Sequence, residues 1–306
     1  MKPIAAVIVL FLSSVTAWTQ SRAEDEGNQP DPPMLGPHVA RGEAHGQAHH
    51  GGGGSPNMIY HNGDIMPTAV TEAIFWGTGW ANPSFAGDKI SGLDLWYEGV
   101  GSSPFAKTCD EYTGLNNDQV LSGISYAGHV VDTSAGPSRA PRTSTILNEV
   151  CKMVTTPVAN GYYAVYVDTP RGSAGYCAWH SWGTCSNVPI QFAFFFNLDG
   201  DAGCDPQSTV AGESQGLAAL ANVTGHELSE ARTDPRGTGW FDSSGAENGD
   251  KCAWTFGTSQ VMFSNGTSWK IQGNWSNTAY NQKLGYANSS GQPGCLDGGN
   301  YPPVAQ

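Results

Sequence analysis

The stretch GHELSEARTDP, residues 225–235, places one imidazole and three carboxylates within nine positions of a chain in which only 13% of residues are charged. It follows an apolar run, and the two together predict a helix over Thr209–Thr233. On that helix His226 and Glu230 lie four positions apart, so their side chains share one face, about 6 Å apart along the axis. Two side chains at that spacing can hold one metal ion. The stretch therefore predicts a metal site on a helix.

The pattern His226-Glu227-x-x-Glu230 matches the His-Glu-x-x-His motif of zinc peptidases, except that glutamate replaces the second histidine. In this pattern Glu227 is the candidate catalytic base. A third metal ligand has to come from the chain that turns back after Pro235. The candidates for it are Glu247, Asp234 and Asp242. His180 and Asp250 are candidates for supporting positions around the ion.

The sequence does not determine which metal binds, or whether these residues form a metal site at all. A histidine with two carboxylates is an oxygen-rich ligand set that suits zinc but also calcium or manganese. The same residues can instead form a structural acid–histidine network. A second acidic stretch, Asp199 to Asp205, resembles part of a calcium loop, but position 12 is Val210 where that loop needs a bidentate glutamate. A tight acidic turn is the alternative interpretation of that stretch.

The N-terminus and the overall charge predict an exported protein. Residues 1–23 have the organisation of a secretory signal peptide, with Lys2 before the apolar core Ile4–Leu12 and small residues at the cleavage positions. The formal net charge is −13, which argues against nucleic acid and anionic membranes as partners. We expect a secreted, extracellular protein, in a cell wall or periplasm, that has no membrane contact once the signal is removed.

The cysteine count fits the same compartment. Seven cysteines and no Cys-x-x-Cys pair predict three disulfides and one free thiol rather than a cysteine zinc site. The expected pair is Cys252 with Cys295. The sequence leaves the connectivity of the other two bridges open.

The chain is expected to contain one folded domain. Residues 24–57, rich in Pro, His and Gly, predict a disordered linker. Residues 58–298 form the predicted domain and 299–306 a tail. The strands of the domain are predicted at Ala69–Trp76, Val120–Val131, Gly161–Val167 and Pro189–Leu198, and its helices at Phe85–Glu98 and Thr143–Val154. The Trp-rich segment around His180 is assigned to a loop. A sheet followed by the motif helix and a loop-rich C-terminal part predicts an α+β, zincin-like fold.

Several motifs in order carry a resemblance to a known family. They are Tyr60-His61-Asn62-Gly63, Phe75-Trp76-Gly77, the stretch 89–97, Cys177-x-x-His180 and the block 226–252. Over residues 57–295 they resemble the EXORDIUM / phosphate-induced protein 1 family, as a branch unlike the plant members that retains a His-Glu-x-x-Glu motif. The resemblance implies an extracellular, cell-wall-associated protein.

Two functions remain as expectations. The first is a zinc-dependent hydrolase, a peptidase acting on a peptide or protein substrate. The second is a non-catalytic binding protein whose acidic cluster is structural or holds calcium, and whose clustered tryptophans bind cell-wall polysaccharide. The first predicts that His226, Glu227 and Glu230 line an open cleft, whereas the second allows them to be buried and fully paired.

Overall fold

A six-stranded mixed sheet organises the residues that the structure, a computed structural model, describes: 31–43, 55–210, 212–258 and 260–304. All of them belong to one compact unit, Asp31–Gln306. The predicted signal peptide, residues 1–23, lies outside the described residues, as do residues 24–30 and 44–54 of the predicted linker.

The elements are as follows. The strands are β1 (Leu35–Val39), β2 (Ile59–Tyr60), β3 (Ala69–Trp76), β4 (Ile124–Asp132), β5 (Gly161–Pro170), β6 (Tyr176–Cys185), β7 (Val188–Asn197), β8 (Trp240–Phe241), β9 (Val261–Met262), β10 (Ser268–Trp269), β11 (Asn274–Trp275), β12 (Tyr286–Ala287) and β13 (Pro293–Leu296). The helices are α1 (Pro83–Ala86), α2 (Lys89–Val100), α3 (Thr143–Met153), α4 (Gln215–Thr233) and α5 (Asn277–Gln282).

The large sheet has the order β1-β6-β7-β5-β3-β4. Strands β4, β3, β5 and β7 run parallel to one another, while β6 is antiparallel to β7 and β1 is antiparallel to β6. Strands β6 and β7 form a hairpin, because Ser186 and Asn187 adopt positive φ angles of 50° and 64°, which match the twist of paired strands. The fold is mixed α+β around a central sheet, which confirms the predicted class at that level.

Most of the predicted elements are present with shifted ends. The strand predicted at Ala69–Trp76 is β3, and the helix predicted at Thr143–Val154 is α3. The helix predicted over Phe85–Glu98 is divided into α1 and α2, because Gly87 between them has a φ of 52° that helices do not adopt.

The assignment of His180 to a loop is wrong, because Cys177–His180 lies inside strand β6. The sequence of β6, YCAWHSWGTC, does not alternate regularly between apolar and polar residues, although its aromatic residues favour strands. Tertiary packing compensates: Trp179 is fully buried and stacks on Phe194 of the neighbouring strand, with ring centroids 5.3 Å apart. Pairing on both sides, to β1 and β7, completes its backbone hydrogen bonds.

The disordered linker predicted over residues 24–57 is wrong for the part that is described. Residues 35–39 form β1, which extends the sheet by pairing with β6, Leu35 opposite His180 and His38 opposite Ala178. The composition of the segment cannot support a core of its own. It is ordered here because it adds to the edge of a sheet that already exists.

Helix α4 is the structural basis of the site. Ser214 caps its N-terminus by accepting a hydrogen bond from the Leu217 N–H at 3.1 Å, and the helix ends at Thr233, before Asp234 and Pro235. Residues 216–233 are all buried. A helix that is buried all round lies in the protein interior, so its charged side chains must find partners there.

Three disulfides reinforce the fold. Cys252 is bonded to Cys295, as predicted, and the other two bridges are Cys151–Cys185 and Cys177–Cys204. Cys109 is the free, buried thiol. The bridges fit an oxidising compartment, which is compatible with secretion. Within the described ranges, no helix has both the length and the apolar character to cross a bilayer.

Candidate metal centre

The motif on α4 brings His226 and Glu230 together as its spacing predicts. His226 Nε2 lies 3.1 Å from Glu230 Oε1, and both residues are fully buried. Asp250 approaches from the chain that returns after the helix, with its Oδ1 3.7 Å from His226 Nε2. Three ligands of a tetrahedral zinc ion at about 2.0–2.1 Å lie roughly 3.3 Å from one another. These two separations lie on either side of that value, and the three atoms all lie within 4.8 Å of one another, so together they can hold a metal ion.

A second group of possible ligands lies on the other side of Glu230. It consists of His180, Glu230 and Glu247, all buried. His180 Nε2 is 3.3 Å from Glu247 Oε2 and 4.0 Å from Glu230 Oε2. The two oxygens of Glu230 therefore face different histidines. Asp250 and His180, expected only in supporting positions, each offer an atom to one of the groups.

The cluster is electrostatically costly without a cation. Burial raises the pKa of Glu227, Glu230 and Glu247 well above the usual range, and the neighbouring carboxylates raise it further. Burial also raises the pKa of Asp250 to about 7 and lowers that of His180 to about 3. The carboxylates must share protons or a cation, because buried negative charges in contact repel one another.

Buried oxygens without hydrogen-bond partners support a cation in this place. Glu230 Oε2 is buried and makes no direct hydrogen bond to another described residue, and the buried carboxylate of Glu227 has the backbone of His38 as a partner but no side-chain donor. Buried polar atoms are normally hydrogen-bonded, and carboxylate oxygens without a donor are what a bound cation satisfies. The donor set and these atoms together fit a divalent ion.

Gln272 fixes the ring of His226 from behind. Its Nε2 lies 3.1 Å from His226 Nδ1 and donates to the Gly249 carbonyl at 2.9 Å. With the amide in this orientation, Nδ1 accepts and Nε2 carries the proton that faces Glu230. Metal binding at Nε2 needs the opposite tautomer, with Nδ1–H donating to the amide oxygen after the amide turns over.

Asp234 and Asp242, two of the candidate third ligands, are engaged elsewhere. Asp234 Oδ1 accepts from the backbone N–H groups of Thr238 and Gly239, each at 2.7 Å, and so closes the turn after α4. Asp242 pairs with Lys251 at 2.6 Å and accepts from the Ser244 hydroxyl. Neither offers an atom to the ligand groups found among the described residues.

The acidic stretch Asp199–Asp205 has the arrangement of a tight turn. Asp201 forms a two-point pair with Arg171, at 2.7 and 3.1 Å, and Asp199 pairs with Lys89. Asp205 accepts from the backbone N–H of Gln207 at 2.6 Å. These partners account for the carboxylates, and in the described chain the stretch forms no ligand group for calcium.

Strand β1 covers the centre, and no sequence signal pointed to it. The His38 ring stacks on His226 with centroids 3.9 Å apart and on Trp254 at 4.3 Å. The backbone of His38 is the group that lowers the pKa of Glu227 against the effect of burial. The open cleft expected for a hydrolase is therefore closed here. A histidine in a Pro/His/Gly-rich segment offers no periodicity from which this contact could be predicted.

A cavity remains beside the covering strand. It has a volume of about 400 Å³ and lies between Leu35 and Pro37 on one side and Phe241, Glu247 and Asp250 on the other. It gives access to carboxylates of both ligand groups.

Comparison with known proteins finds no family model, no curated protein and no solved structure that matches this chain. The resemblance to EXORDIUM proteins stays a prediction, carried by the motifs alone.

Proposed function

We propose that this protein is an exported, zinc-dependent peptidase in which His226, Glu230 and Asp250 hold the ion and Glu227 is the base. The observation that carries the proposal is the close approach of His226 Nε2, Glu230 Oε1 and Asp250 Oδ1 in a buried site. The zincin-like character of the fold, with the motif helix beneath a mixed sheet, is part of the same proposal.

The preference for this group over the second one rests on the helix. His226 and Glu230 belong to one rigid element, so their relative position is fixed before any metal binds. The Asp250 N–H donates to Glu230 Oε1 at 2.9 Å, which holds the returning loop against the helix. His180 and Glu247 then orient the second oxygen of Glu230 and line the site.

Glu227 has the properties of a group that takes up and returns a proton. It follows a ligand directly in sequence, and its burial raises its pKa well above the usual range of a carboxyl group, which strengthens it as a proton acceptor. A bound zinc ion would supply the water activation and carbonyl polarisation that peptide hydrolysis needs. Glu227 would accept the proton of the attacking water and deliver it to the leaving amine.

The secretory setting is consistent with this function. The three disulfides suit an oxidising compartment, where the predicted signal peptide would direct the chain. We propose an extracellular protein of EXORDIUM type on the basis of the sequence motifs. Its substrates would be peptides or proteins in that compartment.

A second candidate function is a non-catalytic binding protein. It is favoured by the complete burial of His226, Glu227 and Glu230, which do not line an open cleft in this structure. In that case the cluster is a structural acid–histidine network or holds calcium, and the ligand is a polysaccharide or a peptide.

Hydrolysis by the zinc-loaded chain separates the two candidates. We would incubate it with a mixture of unstructured peptides, before and after limited proteolysis of the N-terminal segment, and detect products by mass spectrometry. The peptidase predicts hydrolysis that Glu227→Gln abolishes without loss of zinc, and that Glu98→Gln, an exposed control on α2, leaves unchanged. Zinc binding with no hydrolysis in either state contradicts the peptidase and favours the binding protein.

A further inference from the structure

Main-chain atoms of strand β1 and of the residues beside it form several of its contacts with the rest of the domain. The Ala40 N–H donates to the Gly175 carbonyl at 3.0 Å, and the Ser181 hydroxyl donates to the Pro33 carbonyl at 2.6 Å. Trp254 Nε1 donates to the Val39 carbonyl at 2.7 Å. Interactions with main-chain atoms do not depend on the side chains of the added strand, and addition of a strand to a sheet edge is a common mode of peptide binding.

The path of β1 runs over the candidate metal ligands. Gly36 lies against the second ligand group: a Cβ on it would come 2.0 Å from Glu230 Oε2 and 2.9 Å from His180 Nε2. Two residues later, His38 packs on His226. An extended peptide in this position therefore passes both ligand groups and the base within three residues.

Gly36 is a position of the strand where a side chain has no room. Its φ of 45° is in the left-handed region, and the space for a side chain is already filled by Glu230 and His180. Gly42, just beyond the strand, has a φ of 80° but no atom within 4 Å of a built Cβ. The two glycines share the backbone strain and differ in the clash, so they form a matched pair.

We propose that the free edge of β6 is a groove for an extended peptide, and that residues 33–41 of this chain are its built-in occupant. The groove binds main-chain atoms along β6 and requires glycine or another very small residue opposite Glu230. The occupant keeps the site closed until it is displaced or cut away. This last part, inhibition, rests on the proposed peptidase function, whereas the groove itself does not.

The test uses the chain from Glu24 onward with a recognition sequence for a site-specific protease inserted between Gly46 and Gln47. The chain is prepared with the wild-type segment, with Gly36→Ala and with Gly42→Ala. After cleavage, the Gly36→Ala fragment is removed by size exclusion, and a fluorescent peptide of residues 31–43 is titrated into the remaining domain.

The proposal predicts that the wild-type peptide binds with a measurable anisotropy change. A Gly42→Ala peptide binds within about threefold of it, and a Gly36→Ala peptide binds at least roughly tenfold more weakly, which corresponds to about 1.4 kcal/mol. Equal binding of all three peptides, or binding of none to a domain with native circular dichroism, overturns the groove.

If the cleaved domain unfolds, hydrogen exchange on the uncleaved chain still tests the proposal. The amides of β6 around Ala178 and His180 should exchange faster in Gly36→Ala than in Gly42→Ala, because only the first loses the covering strand. Equal protection in the two variants contradicts the proposal.

Activity separates this inference from the proposed function. If the peptide binds and no substrate is hydrolysed, the groove stands and the peptidase function fails. If the uncleaved chain hydrolyses peptides as fast as the cleaved domain, the peptidase stands and the inhibitory role of residues 33–41 is overturned. Hydrolysis that appears on cleavage and is suppressed by the added wild-type peptide supports both.

Discussion

His38 and His226 lie face to face, with ring planes 2° apart and centroids 3.9 Å apart. One ring belongs to β1, near the start of the described chain, and the other to the motif helix α4. The stacking explains why a candidate metal centre with a long motif helix is closed. Strand β1, which is paired along one edge only, adds to the burial that the surrounding residues give the ligands. Closure of the cleft and a hydrolytic function are therefore compatible.

The first prediction concerns the residue behind His226. Gln272→Leu removes the amide that faces Nδ1, at 3.1 Å, and leaves the Gly249 carbonyl with the Cys252 N–H, at 3.0 Å, as a donor. Loss of the partner that orients a metal-bound histidine lowers metal affinity by about 10–100-fold. A competition titration with a zinc chelator measures it. Unchanged affinity would show that the ion does not bind through His226.

The second prediction compares two disulfides. Cys252–Cys295 closes 43 residues and Cys151–Cys185 closes 34, so loss of either costs about 4 kcal/mol in the loop-entropy relation. Asp250 lies two residues before Cys252, and we expect the Cys252→Ser/Cys295→Ser variant to lose zinc affinity as well.

The Cys151→Ser/Cys185→Ser variant is the control, because its bridge joins α3 to β6 away from Asp250. It should bind zinc as the wild type does at a temperature where both variants are folded. Equal losses of affinity in the two variants would mean that Asp250 is not held by the Cys252 bridge.

The third prediction concerns the stability cost of Glu227. Glu227→Gln replaces a buried carboxyl, without a direct side-chain partner, by a neutral group of the same shape. The metal-free variant should be more stable than the wild type at pH 8 by about 1–3 kcal/mol, because the desolvation cost of the charge is removed. Urea unfolding measures the difference, and Glu98→Gln should stay within about 0.5 kcal/mol. A destabilised Glu227→Gln would indicate that the carboxylate makes stabilising contacts in the folded protein.

The fourth prediction concerns pH and lies outside the metal centre. Burial, and a hydrogen bond shared with Asp132, raise the pKa of Glu149 from 4.5 to about 7. The native state therefore binds more protons than the unfolded state between these values. The stability that Glu149 contributes is fully present below about pH 4.5 and is lost as the pH rises through 7.

Glu149→Gln should remove that dependence. Between pH 5 and 7 the free energy of unfolding of the wild type should fall relative to the variant by up to about 1.4 kcal/mol per pH unit. The exposed control Glu98→Gln should keep the wild-type slope. Parallel curves for wild type and Glu149→Gln would show that Glu149 is ionised in the folded protein at pH 5.

The sequence predicts those parts of the fold that local pattern determines. Strand β3 and helix α3 have clear periodicity, and the end of α4 follows from Pro235, so each was found within a few residues. Strands β1 and β6 are not predicted, because neither the Gly/Pro-rich segment nor the Trp-rich segment alternates regularly between apolar and polar residues. They become strands through pairing with each other and with β7, a contact between distant parts of the chain.

In the candidate site, too, the sequence predicts only what local spacing determines. Two residues on one helix, His226 and Glu230, could be paired from their spacing alone. The sequence could not show whether Asp250 or Asp234 approaches this pair of residues. That depends on how the chain returns after α4. Asp234 is used by the turn itself, and the return brings Asp250 back to the helix.

Metal content of the purified chain tests the central claim most directly. Inductively coupled plasma mass spectrometry would be applied to the wild type, to His226→Ala and to His129→Ala. In the wild type His129 pairs with Asp94, away from the buried metal centre. The proposal predicts about one zinc per chain in the wild type and in His129→Ala, and its loss in His226→Ala. No zinc in the wild type after growth in zinc-supplemented medium, or zinc that persists in His226→Ala, would contradict it.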